Sequence, residues 1–185
     1  MTIPEKEKLQ ITFEVADSLS KEQREEIDAV DHLAFSMEGG DDESIEWAMS
    51  STWFVLGRLS GRLVSLIGVL DRTIQVAGQN LAIGGIGGVA THPDFQRRGF
   101  AAMLLQAAKE EMLRRSSSHS YDFAMLFCDL KKATYYAKQG YYLIHNPIYI
   151  LQSGGRVLYE DHQMVLPLSG KPWPEGDVDV NGPPW

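Results

Sequence analysis

Apolar and polar residues alternate at the start of the chain and then change to a helical spacing. Residues 9–15 include apolar side chains at every second position, which is the period of a half-buried strand. Ser20 and Gln23 follow in the Ser-x-x-Gln arrangement of a capping box, in which each side chain binds the other residue's backbone N–H. Apolar residues at helical spacing continue to Phe35. The pattern predicts one strand followed by one helix.

The middle of the chain contains apolar segments separated by short turns. Three strands are predicted there: Trp53–Leu59, residues 63–70 with an extension to 76, and residues 81–91. The turns between them fall at Ser60-Gly61 and at residues 77–80, which are rich in turn-forming residues. Before these strands, residues 36–44 predict a loop that leads into a short second helix containing Trp47.

The second half of the chain alternates helices and strands. After Gly99, apolar residues recur at the spacing of an amphipathic helix. Phe123–Cys128 is a short apolar run typical of a buried strand, and Asp129 is a suitable N-cap for a helix with Gly140 at its C′ position. Two closing strands are predicted over residues 141–144 and 156–165, and residues 167–185, with five prolines, are predicted to be an irregular tail.

The element order β-α-α-β-β-β-α-β-α-β-β predicts an α+β fold in three layers, with helices on both sides of one sheet. A chain of 185 residues suits a single domain over 1–185. No apolar run is long enough to span a bilayer, and the polar N-terminus is not a signal peptide. These features predict a protein that does not enter a membrane.

Charge and cysteine content exclude further classes. The net charge of −8 argues against a nucleic-acid partner and suits a cationic small molecule. A single cysteine, Cys128, excludes an internal disulfide framework and suits the reducing cytoplasm. Because Cys128 lies in an apolar run, we interpret it as an inert buried thiol. The His, Cys and Asp residues lack metal-ligand spacing, so no metal is expected.

The most informative segment is the junction between the third apolar strand and the helix after it. The strand reaches a break at Pro93-Asp94, and Gln96-Arg97-Arg98-Gly99-Phe100-Ala101 then leads into the helix. Unpaired N–H groups and the helix dipole make such a helix start a site for phosphates. Gly99 allows close backbone approach, and the two arginines add positive charge.

Two common phosphate-binding motifs do not fit this segment. A P-loop requires Lys-Ser or Lys-Thr after its glycines, and neither follows here. A dinucleotide fingerprint places its glycines at the start of a helix, whereas Gly85, Gly87 and Gly88 precede residues that are predicted to be strand.

The pattern that remains, Gln-x-x-Gly-x-Ala, resembles the coenzyme A pyrophosphate loop of the GNAT superfamily of N-acetyltransferases. The element order is similar over nearly the whole chain. The resemblance implies the GNAT-like acyl-CoA N-acyltransferase fold, a mixed and mostly antiparallel sheet, and acetyl-CoA as the cofactor. It also implies a set of cofactor-binding residues: Val89, Ala90 and Thr91, whose backbone would pair with the pantetheine arm, and Gln96, Arg97, Arg98, Gly99, Phe100 and Ala101 around the pyrophosphate.

A second stretch, Ala133-Thr-Tyr-Tyr-Ala-Lys-Gln-Gly140-Tyr, is similar to the superfamily's motif after the last core strand. The resemblance implies that Tyr136 is the general acid for the departing thiolate, with packing on the sheet as the alternative. Members of the superfamily commonly carry a glutamate on the strand before the loop, but Gly87 stands at that position here. The base is therefore expected to be a water relayed to carboxylates of the loop or the tail, and His92 is expected to point at the phosphate loop instead.

The layout is similar to the aminoglycoside 2′-N-acetyltransferase branch of the superfamily. That resemblance implies a small primary amine of positive charge, acetylated by direct transfer in a ternary complex. The acceptor-binding candidates are Glu38, Asp41, Asp42, Asp177, Asp179 and Trp185. A catalytically silent acyl-CoA-binding module and an acyltransferase for longer acyl chains stay open as alternatives. A homodimer is also compatible with the sequence.

Overall fold

A computed structural model describes residues 8–36, 45–47, 51–115 and 121–185. Within these residues, ten strands form one sheet: β1 Gln10–Val15, β2 Trp53–Leu59, β3 Arg62–Val76, β4 Gln79–Thr91, β5 Phe123–Cys128, β6 Tyr142–Ile144, β7 Ile148–Gln152, β8 Gly155–Tyr159, β9 His162–Pro167 and β10 Val178–Asp179. The helices described are α1 Lys21–Phe35, α2 Phe100–Arg115 and α3 Leu130–Ala137.

The sheet is mixed and mostly antiparallel. Its strands follow the order β6-β9-β5-β4-β3-β10-β7-β8, and β2 also pairs with β3 and carries β1 on its other side. The two parallel pairs are β4 with β5 and β7 with β10. The predicted α+β fold is therefore confirmed.

Helices cover both faces of the sheet because side chains of a strand alternate between its faces. On one face, Ile27 and Val30 of α1 pack in a buried cluster with Leu66. On the other face, Ile67 packs in a cluster with α2 and α3 residues, among them Leu104. The sheet is thus the middle layer of three.

The predicted capping box fixes the start of α1. The backbone N–H of Gln23 donates to Ser20 Oγ at 3.2 Å, and the Ser20 N–H donates to Gln23 Oε1 at 2.8 Å.

Asp129 caps α3 as predicted. Gly140 has a left-handed φ of +93°, its N–H donates to the Ala137 carbonyl at 3.0 Å, and the Tyr141 N–H donates to the Tyr136 carbonyl at 3.2 Å. These are the two hydrogen bonds of a Schellman motif, so the predicted C′ position of Gly140 is confirmed.

The predictions for the segments around these elements need three corrections. Ile45–Trp47 is not helical in the structure, and the rest of the predicted second helix lies outside the described residues. Residues 156–165 form parts of two strands, because the polar Glu160-Asp161 pair turns the chain between β8 and β9. The strand β7, which pairs with β8 as a hairpin, was not predicted.

The tail is more regular than its prolines suggested. Val178–Asp179 forms β10, which lies between β3 and β7, and Val178 and Val180 are fully buried. Arg72 Nη1 donates to the Pro183 carbonyl at 2.6 Å. Leu151 N–H donates to the Gly182 carbonyl at 2.8 Å. The buried side chains of Val178 and Val180 and these hydrogen bonds to tail carbonyls hold the tail against the sheet.

A buried carboxylate stabilises the end of α2. Glu111 accepts hydrogen bonds from Arg114 Nε and Nη2, both at 2.7 Å, and from Arg115 Nε at 2.8 Å. These bonds, led by those from Arg114, lower the pKa of Glu111 to about 2 although burial opposes the shift. The Arg115 guanidinium also lies 4.3 Å from the ring centroid of Trp53, so the charge cluster is continuous with the core.

We predict that Glu111→Gln lowers the free energy of unfolding by about 2 kcal/mol at neutral pH, because charge-assisted hydrogen bonds are lost. The pKa of Glu111 in the folded state is below its ordinary value of 4.5. Its stabilisation is therefore present above that value and is lost as the pH falls towards about 2. Urea unfolding at several pH values should show the wild type and the variant converging over this range.

Glu110→Gln is the matched control, since Glu110 is the exposed neighbour on the same helix. It should leave the unfolding free energy nearly unchanged. A difference between wild type and Glu111→Gln that stays constant as the pH falls would contradict the prediction.

Candidate active site

The main cavity opens where β4 and β5 separate. Their parallel pairing covers Ile83–Ile86 of β4 and Phe123–Leu126 of β5. Beyond it, β5 stays paired with β9 through Cys128, while β4 continues along β3 to Thr91. A cavity of about 1340 Å³ fills this gap, and it is lined by residues of α1, β3, β4, β5 and α3.

β4 contains a bulge where it lines the cavity. Leu66 of β3 is opposite Ala90, but Gly68 is opposite Gly87, so β4 holds one more residue than β3 between these pairs. Gly88 lies in this extra stretch at φ +52°, in the left-handed region that favours glycine. Such a bulge bends its strand away from regular pairing, and here it accompanies the departure of β4 from β5.

The glycines of β4 make room for side chains on both faces of the sheet. A Cβ on Gly84 would collide with Met112 of α2, whereas a Cβ on Gly85 would lie 2.6 Å from Nε1 of Trp185. On Gly87 the nearest atom would be the Trp185 carbonyl carbon, at 3.4 Å. Trp185 therefore occupies the space that a side chain at Gly85 would need, whereas a Cβ on Gly87 would make an ordinary van der Waals contact with it.

Trp185 is the one acceptor-binding candidate among the described residues that lines the cavity. Its ring packs edge-on against Phe127, with centroids 4.8 Å apart, and the Arg72 guanidinium lies 5.2 Å from its centroid. One wall of the cavity therefore has an aromatic surface, formed by Trp185 and Phe127.

Asp177 and Asp179 do not line the cavity. Val178 and Val180 turn into the core, so the acidic residues between and beside them face away from it. Asp179 Oδ2 accepts a hydrogen bond from Arg156 Nε at 2.7 Å. The other acceptor candidates, Glu38, Asp41 and Asp42, lie outside the described residues.

Tyr136 reaches the cavity from α3. It is 7% exposed, and its ring meets that of Tyr141 edge-on at 6.1 Å. The neighbouring Tyr135 does not line the cavity and is more than a third exposed. Helical geometry therefore separates the two tyrosines as the sequence predicts, while the chemical role of Tyr136 stays a prediction.

The predicted pyrophosphate loop lies past the end of β4. Pro93–Phe95 forms one turn of 3-10 helix, and Gln96 Nε2 donates to the Thr91 carbonyl at 3.2 Å. Arg97 and Gly99 have left-handed φ angles of +61° and +82°. α2 starts at the next residue, so the first-turn N–H groups of the helix face the loop without intrahelical acceptors.

Of the strand residues predicted to bind the cofactor, Val89 lines the cavity. Ala90 is buried under α1, and its carbonyl accepts from Ser65 Oγ at 2.9 Å. The hydroxyl of Thr91 lies 2.8 Å from the same Ser65 oxygen. The side chain of Ala90 thus packs against α1, and that of Thr91 contacts β3. These two residues could bind a ligand through their backbone.

His92 lies in the loop, as expected from the sequence. Its Nδ1 accepts from the Asp94 N–H at 3.2 Å, and its Nε2 lies 2.8 Å from Arg62 Nη2. The ring packs edge-on against Phe95 at 5.6 Å. It is not among the residues that line the cavity.

Several charged residues of the cavity wall were missed by the sequence analysis. They come from α1 and from the segment between β8 and β9: Asp28, Asp31, His32, Glu160 and Asp161. The positions on α1 could have been found, because Asp31 follows the core residue Val30 and is one turn after Ile27. Glu160 and Asp161 could not have been found, because the sequence predicts a single strand over residues 156–165.

Cys128 lines the cavity and is half-buried. Burial, followed by the charge of Asp129, raises the pKa of the thiol. A protonated thiol is a weak nucleophile, so the environment does not favour an acyl-cysteine route.

Two kinds of feature are absent from the described part of the chain. No group of three or more His, Cys, Asp or Glu side chains there could hold a metal ion. None of the helices described is both long and apolar enough to cross a membrane.

Comparison with known proteins identifies the family. The model of the acetyltransferase (GNAT) domain family matches residues 16–144. No curated protein matches the chain significantly. Among solved structures, Escherichia coli ElaA is 13% identical with a TM-score of 0.61, covering 86% of this chain and 99% of its own.

Two further structures are similar in fold. A GNAT family acetyltransferase from Brucella melitensis in complex with acetyl-CoA is 18% identical with a TM-score of 0.58, covering 91% of this chain and 94% of its own. An acyl-CoA N-acyltransferase from Pseudomonas aeruginosa is 13% identical with a TM-score of 0.60, covering 86% and 99%. Because the family model spans well over half of the residues, the chain belongs to the GNAT acetyltransferase family.

Proposed function

We propose that this acetyltransferase moves an acetyl group from acetyl-CoA to the primary amine of a small, positively charged acceptor by direct transfer in a ternary complex. The observation that carries the proposal is the cavity at the separation of β4 and β5, which is lined by Tyr136 and by an acidic wall. The basic loop follows the end of β4, the strand that contributes Val89 to the cavity. The Brucella melitensis neighbour bound to acetyl-CoA supports the choice of donor. The resemblance to aminoglycoside 2′-N-acetyltransferases and the homodimer stay predictions.

The residues of the loop fit a pyrophosphate. A Cβ added to Gly99 would meet no atom within 4 Å in the described part of the chain, its two neighbours aside, and this leaves the loop backbone open to a ligand. Arg97 and Arg98 are exposed beside it. With the N–H groups at the start of α2, they supply the hydrogen-bond donors and positive charge that a pyrophosphate requires. Val89 lies between this loop and the bulge, where the pantetheine arm would run.

Bound acetyl-CoA supplies an acetyl thioester, and the protein must hold and protonate the sulfur that leaves. Tyr136 lies in the wall formed by α3 and has a phenolic O–H to donate. Proton transfer from a phenol of pKa about 10 to a thiolate whose conjugate acid has a pKa of about 8.5 is only slightly uphill. We therefore assign to Tyr136 the role of general acid.

The charge of the wall supports a cationic acceptor. Of the described residues, five carboxylates line the cavity, and the basic side chains that line it are Lys132 and, when protonated, His32. Asp161 is held in place by a hydrogen bond from the Tyr159 hydroxyl at 2.9 Å. A concave surface of one sign raises the local concentration of ligands of the opposite sign. An amine with more than one positive charge is therefore the favoured acceptor class.

A catalytically silent acyl-CoA-binding module is the second candidate, and Gly87 favours it because the strand carboxylate is missing. Release of free thiol from acetyl-CoA, followed with a panel of amines that includes spermidine and kanamycin, separates the two. Measurable coenzyme A binding without thiol release on any amine would overturn the proposed activity.

We predict that Tyr136→Phe lowers kcat by about 100-fold and leaves the KM for acetyl-CoA nearly unchanged, because the general acid is lost while the binding surface remains. Tyr135→Phe is the matched control and should keep the wild-type kcat. An unchanged kcat in Tyr136→Phe would show that this tyrosine only packs on the sheet.

We predict that Gly99→Ala weakens coenzyme A binding about tenfold, measured by titration calorimetry, because the left-handed φ is unfavourable for alanine and a shift moves the N–H groups. Gly61→Ala is a matched control: Gly61 has φ +83°, also meets no atom within 4 Å, and lies in the β2–β3 turn. Both variants should lose about 1 kcal/mol of stability. Equal coenzyme A affinity in the two would contradict the assignment of the loop.

We predict that Glu160→Lys raises the KM for spermidine about fivefold, because an exposed charge at the cavity wall is reversed, and that added salt reduces the effect. Glu175→Lys changes the net charge equally but lies in the tail away from the cavity. It should leave the KM unchanged. Identical spermidine KM values for the two variants would exclude local attraction by the wall.

A further inference from the structure

We propose that Asp31 contacts the ammonium group of the acceptor and accepts its proton, so that α1 supplies the carboxylate that β4 lacks. The proposal rests on the proposed acetyl transfer and adds a residue to it. Three observations on Asp31 support it: its position on α1, its distance from the β4 bulge, and its place in the cavity relative to Tyr136.

The position of Asp31 on α1 is fixed by core packing. Ile27 and Val30 are buried in the cluster that contains Leu66 and Ala90, which holds α1 against β3 and β4. Asp31 follows Val30 directly and lies one helical turn after Ile27, so its side chain projects at the margin of this buried face. It is partly buried and lines the cavity.

The carboxylate of Asp31 lies beside the bulge. Its Oδ1 is 3.5 Å from the position that a Cβ on Gly88 would occupy. Among the described residues, and leaving aside Gly88 and its two chain neighbours, it is the one atom within 4 Å of that position. Because Gly88 has no side chain, this oxygen faces the backbone where β4 leaves β5. In the proposed function, the pantetheine arm would run along Val89 and end in this region, where a nucleophile approaching the thioester would meet Asp31.

Asp31 and Tyr136 belong to opposite layers of the fold. Asp31 comes from α1 on one face of the sheet, while Tyr136 belongs to the buried cluster on the face that α2 covers. Both line the same cavity, since the gap between β4 and β5 connects the two faces. A proton can thus be taken from the acceptor on one side and given to the sulfur on the other.

β4 supplies no carboxylate to the cavity, because it carries Gly85, Gly87 and Gly88 there. Trp185 atoms fill the space beside Gly85. Among the other acidic wall residues, Asp28 is exposed one turn earlier on α1, and Asp161 lies between β8 and β9. Asp31 is the carboxylate of the wall that the structure brings to the β4 backbone.

The proton balance is complete without a further reactant. Asp31 takes one proton from the ammonium nitrogen and passes it to solvent, which leaves a lone pair on that nitrogen. As the N–C bond to the acetyl group forms and the C–S bond breaks, the nitrogen loses a second proton. Tyr136 gives a proton to the sulfur and regains one through solvent. The products are the acetamide, the free thiol and one released proton.

Acceptors of different basicity test this role. Ethylamine is protonated at neutral pH, whereas 2,2,2-trifluoroethylamine has the same skeleton and is largely neutral. We expect Asp31→Asn to lower kcat/KM about 100-fold for ethylamine and much less for trifluoroethylamine. Asp31→Glu should restore part of the ethylamine activity. Glu25→Gln, an exposed change on the same helix, should match the wild type.

Coenzyme A affinity by calorimetry provides a readout that does not depend on turnover, and it should be equal in the wild type and in Asp31→Asn. Equal losses for both amines, or weakened coenzyme A binding, would show a structural effect and overturn the proposal. Wild-type activity in Asp31→Asn would overturn it while leaving the acetyl transfer intact. No thiol release by the wild type with any amine would overturn the proposed function itself.

Discussion

Parallel hydrogen bonding between β4 and β5 stops after Ile86 and Leu126, and the geometry of the candidate site depends on this break. β5 remains held by β9 on its other side, so it cannot follow β4. β4 instead stays with β3 through a bulge at Gly88 and delivers the chain to the start of α2. The separated strands expose backbone that a ligand can pair with, and the space between them becomes the cavity.

The break also sets which layers contribute chemistry. In an unbroken sheet, α1 and α3 would be separated by a continuous layer of strands. Here the gap lets Asp31 from one face and Tyr136 from the other line a single space. A site assembled in this way requires both helices to be fixed by core packing, and the clusters around Val30 and Ala133 provide that.

Local signals in the sequence predicted most of the fold. The capping box at Ser20, the Asp129 cap and the apolar strand segments identified α1, α3 and the central strands, because each depends on neighbours within a few residues. The tail strand β10 was missed, since two valines gain their burial only from β3 and β7 far along the chain. The packing of Trp185 beside Gly85 could not be predicted either, because the two residues are far apart in the sequence.

The site divides into two ends of opposite charge, and this favours a ternary complex over sequential occupation of one pocket. Arg97 and Arg98 lie at the start of α2, and the Arg98 guanidinium is stacked 5.0 Å from the ring centroid of Phe95. The carboxylates of α1 and of the β8–β9 turn lie at the cavity. In the proposed function, an anionic donor at the basic end and a cationic acceptor at the acidic end would not compete for the same charges. Their opposite charges would also attract one another across the bulge, so each ligand would strengthen the binding of the other.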